Sequence, residues 1–376
     1  MKKHKIIKII LIIMIIILSV TFVIVKPYIF KQNLNVSWKT EEKSKEEVLN
    51  YNFLISKMYK DGYGVYTNYL DGPNEGDITK GHTVLSESEG LLMLYLVNSG
   101  EKVEFDSNYD IIKNKMRLKN GLLAWRYNNS ETNKSSSTID DLRIVRSLLY
   151  AYDRWGDFKY KYLAISISQD TLKKVSKEGY LYDSNDGTTS SNLVVLCYLD
   201  LKTMELLEKS NSKWKKIYSN SLDILKNGQP IKGVPLFKKS YLPKENKYSD
   251  EKDVEIVYSL NVLKNLQLAG VDISKELDWL WKEFSKENKL YIKYDFNGNR
   301  TSEFESTSVY AICGEIFENA NRQTEADALK KRMLEFQAKN KDSEIYGSFG
   351  NEQTKVVYSY DNLNALIFLA KKNADL

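Results

Sequence analysis

Cysteine and histidine are nearly missing from this chain, whose 376 residues hold two of each. Cys197 and Cys313 lie far apart, each inside an apolar run (LVVLCYL and VYAICGEI), so they read as buried thiols and not as a disulfide framework. His4 and His82 have no Cys or carboxylate at metal-ligand spacing. A His-based metal site and a Ser/His triad therefore drop out, and no metal or cofactor is expected. Gly-rich turns after a strand pattern are also lacking, which removes nucleotide and phosphate cradles. Charge of one sign is scarce in blocks: 55 basic and 50 acidic residues leave +5 with no long basic run, so nucleic acid is not an expected partner. Strand signals, low-complexity tracts and fixed-period repeats are sparse or absent as well.

What is present is apolar and aromatic. A 42% hydrophobic content is enough for a real core. The 26 Tyr and 6 Trp, many beside Asn, Asp and Ser, fit a surface that holds sugar rings by flat faces and hydrogen bonds. An AT-rich coding sequence would raise Tyr, Lys, Ile and Asn too, so composition leaves both explanations standing.

The N-terminus sets a compartment. Lys2, Lys3, Lys5 and Lys8 precede an unbroken run of apolar and small residues from Ile9 to Val25, long enough for one tilted membrane span. No small-x-small cleavage site follows, so a retained signal anchor is expected. The lysine excess places the N-terminus in the cytoplasm and the remaining chain outside. The expected organisation is an anchor over 1–30, a polar tether over 31–40 and one catalytic domain over 41–376.

Beyond the tether, apolar residues recur at helical spacing almost to the end. Helices are predicted to begin near Lys45, Ser86, Phe105, Asp140, Lys161, Asn192, Ser212, Asp253, Ser274, Glu305, Thr324 and Asp361. Twelve such helices make six hairpins, for which a closed ring, an all-α (α/α)6 barrel, is the economical architecture. The longer polar and aromatic loops, 63–83, 127–138, 180–192 and 230–252, are the expected active face.

Two carboxylate pairs open helices. In TVLSESEG (83–90), Glu87 and Glu89 sit in a first helical turn, where a carboxylate either caps the helix or, against an apolar wall, serves as a general acid. In STIDDLRIVRSLLYAYDRW (137–155), Asp140 and Asp141 open an amphipathic helix and either could be an N-cap. The spacing of Ser137, Thr138, Asp141, Ile144, Ser147, Leu148, Leu149, Ala151 and Trp155 resembles the signature of glycoside hydrolase family 8, with Ile139 in place of its first Asp and Asp140 at its small-residue position.

That resemblance, which extends over nearly everything after the anchor, implies roles. Ser88, Glu89 and Gly90 look like the family's Ser-Glu-Gly, making Glu89 the expected general acid. Asp141 would hold the sugar at the cleavage subsite. In GLLAWRY (121–127), Trp125 would stack on a sugar and Arg126 would bond a hydroxyl or carboxylate, although Trp125 alone reads equally as a core aromatic. The base is expected to be an Asp opening a helix in the second half: Asp253, with Asp250 three residues earlier and Asp361 as further candidates. The family implies an inverting endo-glycosidase of a β-1,4-linked polysaccharide, and the anchor suggests a bacterial exopolysaccharide as substrate and its synthesis machinery as a partner. A non-catalytic carbohydrate-binding accessory protein and a polysaccharide lyase on the same barrel are the alternatives.

Overall fold

A computed structural model of the protein describes residues 2–30, 34, 36, 38, 42–76, 79–128 and 133–370. Thirteen α-helices occur among them: α1 (Lys2–Ile29), α2 (Lys45–Phe53), α3 (Ser86–Ser99), α4 (Lys102–Ile111), α5 (Thr138–Trp155), α6 (Phe158–Lys174), α7 (Leu201–Leu207), α8 (Lys213–Asn227), α9 (Ile256–Leu268), α10 (Ser274–Glu287), α11 (Thr307–Asn319), α12 (Gln323–Met333) and α13 (Ser359–Leu369). Each of the twelve after α1 corresponds to a helix expected from periodicity. The largest displacement is α7, expected near Asn192 and found from Leu201, because Val194–Val195 pairs as a strand and Leu196–Tyr198 forms a 3-10 turn first.

Burial sorts these helices into two layers. In α3, α5, α11 and α13 nearly every residue is buried, as befits helices covered on all sides. In α8 only a stripe including Trp214, Ile217 and Leu225 is buried, and in α10 only Leu277, Leu280 and Phe284, the pattern of an outer helix with one wet face. The inner helices pack in the order α3, α5, α7, α9, α11, α13, and α13 closes the ring on α3. The outer helices α4, α6, α8 and α12 lie against α3, α5, α7 and α11. This is an (α/α)6 barrel.

Close approach of two neighbours in that ring depends on Gly314 of α11. A Cβ there would lie 2.2 Å from Cζ of the buried Phe368 in α13. Gly314→Ala should therefore cost about 2 kcal/mol by overpacking, read as a lower denaturant midpoint at unchanged m-value.

Short strands precede several inner helices and fix where each begins. Val84–Leu85 pairs with Arg126–Tyr127, Ser136–Ser137 with Ser184–Asn185, and Asp253–Glu255 with Lys293–Asp295. Helices α3, α5 and α9 start directly after them, so their N-termini open on one rim. At the opposite ends, Gly100 (φ 86°) and Gly156 (φ 72°) close α3 and α5 in the left-handed conformation.

The apolar helix α1 is solvent-exposed over His4–Phe22. Most of the expected tether, 31–40, lies outside the described residues. Leu34, Val36 and Trp38 are described, and all three pack against the barrel core.

Candidate active site

Two cavities adjoin at the rim and share Leu85 and Glu87. One, of about 690 Å³, is also lined by Trp125, Ser135–Ser137, Ile139, Asp140, Asp183, Ser184, Tyr198 and Tyr258. The other, of about 340 Å³, is lined on its far side by Glu255, Ser306, Ser308, Tyr358, Tyr360 and Asp361. Glu87 thus stands at the middle of an open cleft.

Its position follows from the local chain path. Ser86 donates its N–H to the Trp125 carbonyl at 3.0 Å, which starts α3 at the rim and leaves Glu87 pointing along it. Burial pushes the Glu87 carboxyl up to about 7; neighbouring Asp140 adds to the rise and Arg143 opposes it. Asp140 is itself fixed: Ser86 Oγ donates to its Oδ2 at 2.8 Å, and Arg143 Nη1 donates to its Oδ1 at 3.0 Å. Arg143 reaches there by crossing α3 at Gly90, where a Cβ would meet its Cδ at 3.1 Å.

Of the residues expected to be catalytic, the cleft presents Asp361 but not Glu89, Asp253 or Asp250. Glu89 is fully buried on the other side of α3, with Oε1 accepting the Val65 N–H at 2.6 Å and Oε2 without a hydrogen-bond partner. Burial lifts its carboxyl to about 8, but it touches the 64–65 strand and not the cleft. Two residues along a helix turn about 200°, so Glu87 and Glu89 cannot face the same space. Asp141 is likewise sealed in, with Oδ1 accepting the Leu123 N–H at 3.1 Å, while its neighbour Asp140 takes the cleft side. Burial holds the Asp141 carboxyl well above its ordinary value.

The candidate bases divide in the same way. Asp250 is exposed outside the cleft, and Asp253 forms an ion pair with Lys293 at 3.0 Å on the outer part of its strand. Two residues further in, at the N-cap of α9, Glu255 reaches the cavity, and no described residue hydrogen-bonds its carboxylate. Asp361 also lines the cavity, but its Oδ1 accepts from Ser306 Oγ at 2.7 Å and from the Ser308 N–H at 2.8 Å. The sequence signal that marks Glu255 is its place at a strand-to-helix junction, the N-cap of α9, much as Glu87 stands two residues past the N-cap of α3.

Trp125 lines the cleft. Arg126 bonds no cleft carboxylate. Its guanidinium lies 4.4 Å from the Trp125 ring centroid and donates to the Gly76 carbonyl at 2.9 Å, so it braces the ring. Tyr198, Tyr258 and Tyr358 complete the aromatic rim. Among the described residues no His, Cys, Asp and Glu group could hold a metal, and Cys197 and Cys313 are free, buried thiols.

If Glu87 works in its protonated form, the alkaline limb of kcat/KM should fall near pH 7. Asp140→Asn removes a charge that raises the Glu87 pKa and should move that limb to lower pH, whereas Arg143→Met should move it to higher pH. The other groups facing Glu87, namely Cys197, Tyr198, Tyr258 and Tyr360, are all held above their ordinary values by burial, so they stay neutral through this window. A pH profile of each variant checks both directions.

Comparisons with known proteins agree with this architecture. Residues 72–236 match the family model described as glycosyl hydrolases family 8. A solved structure described as a novel alpha-amylase from Clostridium perfringens is 43% identical, covers 87% of this chain and 98% of its own, and superposes with a TM-score of 0.82. YdaJ of Bacillus subtilis (strain 168), whose name describes it as a lipoprotein, is 25% identical over 334 residues, 88% of this chain and 90% of YdaJ. PssZ from Listeria monocytogenes shares the fold at 21% identity and a TM-score of 0.66, over 90% of this chain and 98% of its own.

Proposed function

Because this chain belongs to glycosyl hydrolase family 8 and is a glycoside hydrolase, we propose that it cleaves internal β-1,4 bonds of a polysaccharide with inversion, Glu87 acting as acid and Glu255 as base. The observation that carries this reading is the meeting of Glu87 and Glu255 in one cavity, in the middle of a cleft open on both sides.

Glycoside hydrolysis by inversion needs a protonated carboxyl beside the leaving oxygen and an ionised one on the other face of the sugar, with water between. Burial supports the proton on Glu87, and a half-buried Glu255 with no described hydrogen-bond partner is suited to accept one from water. The Glu87 proton passes to the glycosidic oxygen as the C1–O bond breaks. Glu255 takes a proton from the water that attacks C1, so the hydroxyl arrives on the opposite face. Trp125, Tyr198, Tyr258 and Tyr358 offer ring faces for sugars along the cleft, which suits a polymer entered mid-chain.

A second reading is favoured by the 43% identical relative described as an alpha-amylase: the polymer would then be an α-1,4-linked glucan, cleaved by the same two carboxylates. Reducing-end release from β-1,4-glucan, mixed β-1,3-1,4-glucan, β-1,4-linked N-acetylated hexosamine polymers and α-1,4-glucan separates the two. NMR of the first product anomer adds the stereochemistry. An α-anomer from a β-linked polymer supports the main reading, activity on α-glucan alone replaces it with the second, and glycan binding without product supports a non-catalytic accessory role.

We further propose that α1 is a single-pass membrane anchor with the barrel outside the cell. His4–Phe22 has a mean hydropathy of 2.7 and no part buried in the protein, and the naming of YdaJ as a lipoprotein fits a membrane-attached relative. This would place the enzyme where an exopolysaccharide leaves the cell.

A further inference from the structure

We propose that the barrel does not hang free on its anchor but lies against the bilayer through the outer face of α6, with Phe158 and Tyr162 at the level of the lipid headgroups. The proposal rests on reading α1 as a membrane span.

The chain leaves α1 already attached to the barrel. Pro27 is buried, and the Tyr28 ring stacks on Tyr162 of α6 at 5.5 Å and 26°. Tyr28 Oη donates to Gln169 Oε1 at 3.2 Å. One residue past the helix end, the Phe30 carbonyl accepts from the buried Lys161 ammonium, which also lies 4.3 Å from the Phe30 ring. Further on, Trp38 meets Tyr150 edge-on at 6.0 Å, and the Arg154 guanidinium lies 5.2 Å from the Trp38 ring.

Attachment at that point sets a distance. Tyr28 follows Val25, the last residue of the apolar run, by three helical residues, or about 4.5 Å of rise. That length is within the headgroup zone, so whatever Tyr28 touches is at the membrane surface.

The surface in question has the matching composition. Phe158 and Tyr162, one turn apart on α6, are 49% and 56% exposed. Exposed lysines lie on the same two segments: Lys173 farther along α6, and Lys113, Lys115 and Lys119 on the adjoining 112–119 segment, which Arg117 joins to α6 through Asp170 at 2.6 Å. Aromatic rings and lysines suit an interface of acyl chain, carbonyl and anionic headgroup. The buried Lys161 ammonium is satisfied by the Phe30 carbonyl, which fastens the chain just past α1 to α6.

The test uses the full chain in vesicles of phosphatidylcholine and phosphatidylglycerol that carry a headgroup-level nitroxide quencher. An environment-sensitive fluorophore is attached at Phe158→Cys, at Tyr162→Cys, or at Lys331→Cys on α12, across the ring; the native cysteines are buried. Loss of most of the fluorescence at 158 and 162, with none at 331, is the expected result. Absence of quenching at all three sites, in protein that resists alkaline extraction, would overturn the docked face and leave the anchor intact. Release of the protein by alkaline washing would remove the anchor reading, and the docking with it.

Discussion

Glu87→Gln should lower kcat by about three orders of magnitude, with little change in KM, whereas Glu89→Gln should keep activity near the parent level. An amide in place of the Glu87 carboxyl fills the same space at the cleft but has no acidic proton to deliver to the leaving oxygen. In the Glu89→Gln variant the side-chain oxygen can still accept the Val65 N–H that Glu89 accepts now, so the wall behind α3 stays intact.

The Glu89→Gln variant carries its own signature in stability. A buried carboxyl raised to about 8 binds its proton more tightly folded than unfolded, so its contribution to stability is fully present below the unfolded pKa, near 4.5, and is lost as pH rises toward 8. The substituted amide has nothing to titrate. The variant's melting temperature should therefore match the parent near pH 4 and exceed it increasingly from pH 5 to pH 8, as followed by circular dichroism. If Glu89→Gln abolished turnover while Glu87→Gln did not, the assignment of the acid would be reversed.

Glu255→Gln should reduce turnover by about 10³-fold, and Asp361→Asn by far less. Glu255 has its carboxylate in the cavity with no described hydrogen-bond partner, free to take a proton from water. Asp361 instead spends its Oδ1 on the Ser306 hydroxyl and on the Ser308 N–H in the first turn of α11. Its loss should appear as about 1 kcal/mol of stability, with kcat/KM shifted modestly through the α11 end of the cleft. Steady-state kinetics alongside urea unfolding of both variants separates the two roles. Equal loss of kcat in both, at unchanged stability, would share the base role between them.

Helix number and layering were legible from the linear pattern because burial leaves a mark at each residue. LLMLYLV in α3 is apolar all round and had to be inside, while α8 and α10 carry one apolar stripe and had to be outside. The 137–155 signature was specific enough to place the family, since it spans five turns of a helix locked between two neighbours. The exact catalytic carboxylate was beyond that pattern. Glu87 and Glu89, or Asp140 and Asp141, are equivalent as letters near a helix start.

Which member of each pair meets the substrate depends on where the preceding strand hands over to the helix, and so on the Ser86-to-Trp125 hydrogen bond and the Leu85–Arg126 register. Along a strand each residue advances about 3.3 Å, so Glu255 reaches the cavity that Asp253 stops short of. Composition, periodicity and an N-terminal apolar run establish a membrane-length helix joined to a mostly helical domain, because those properties are local sums over residues, and the 137–155 spacing adds the resemblance to the family. The choice of acid and base, and the fastening of α1 to α6, belong to contacts between segments distant in sequence, whose rotation and register no single segment encodes.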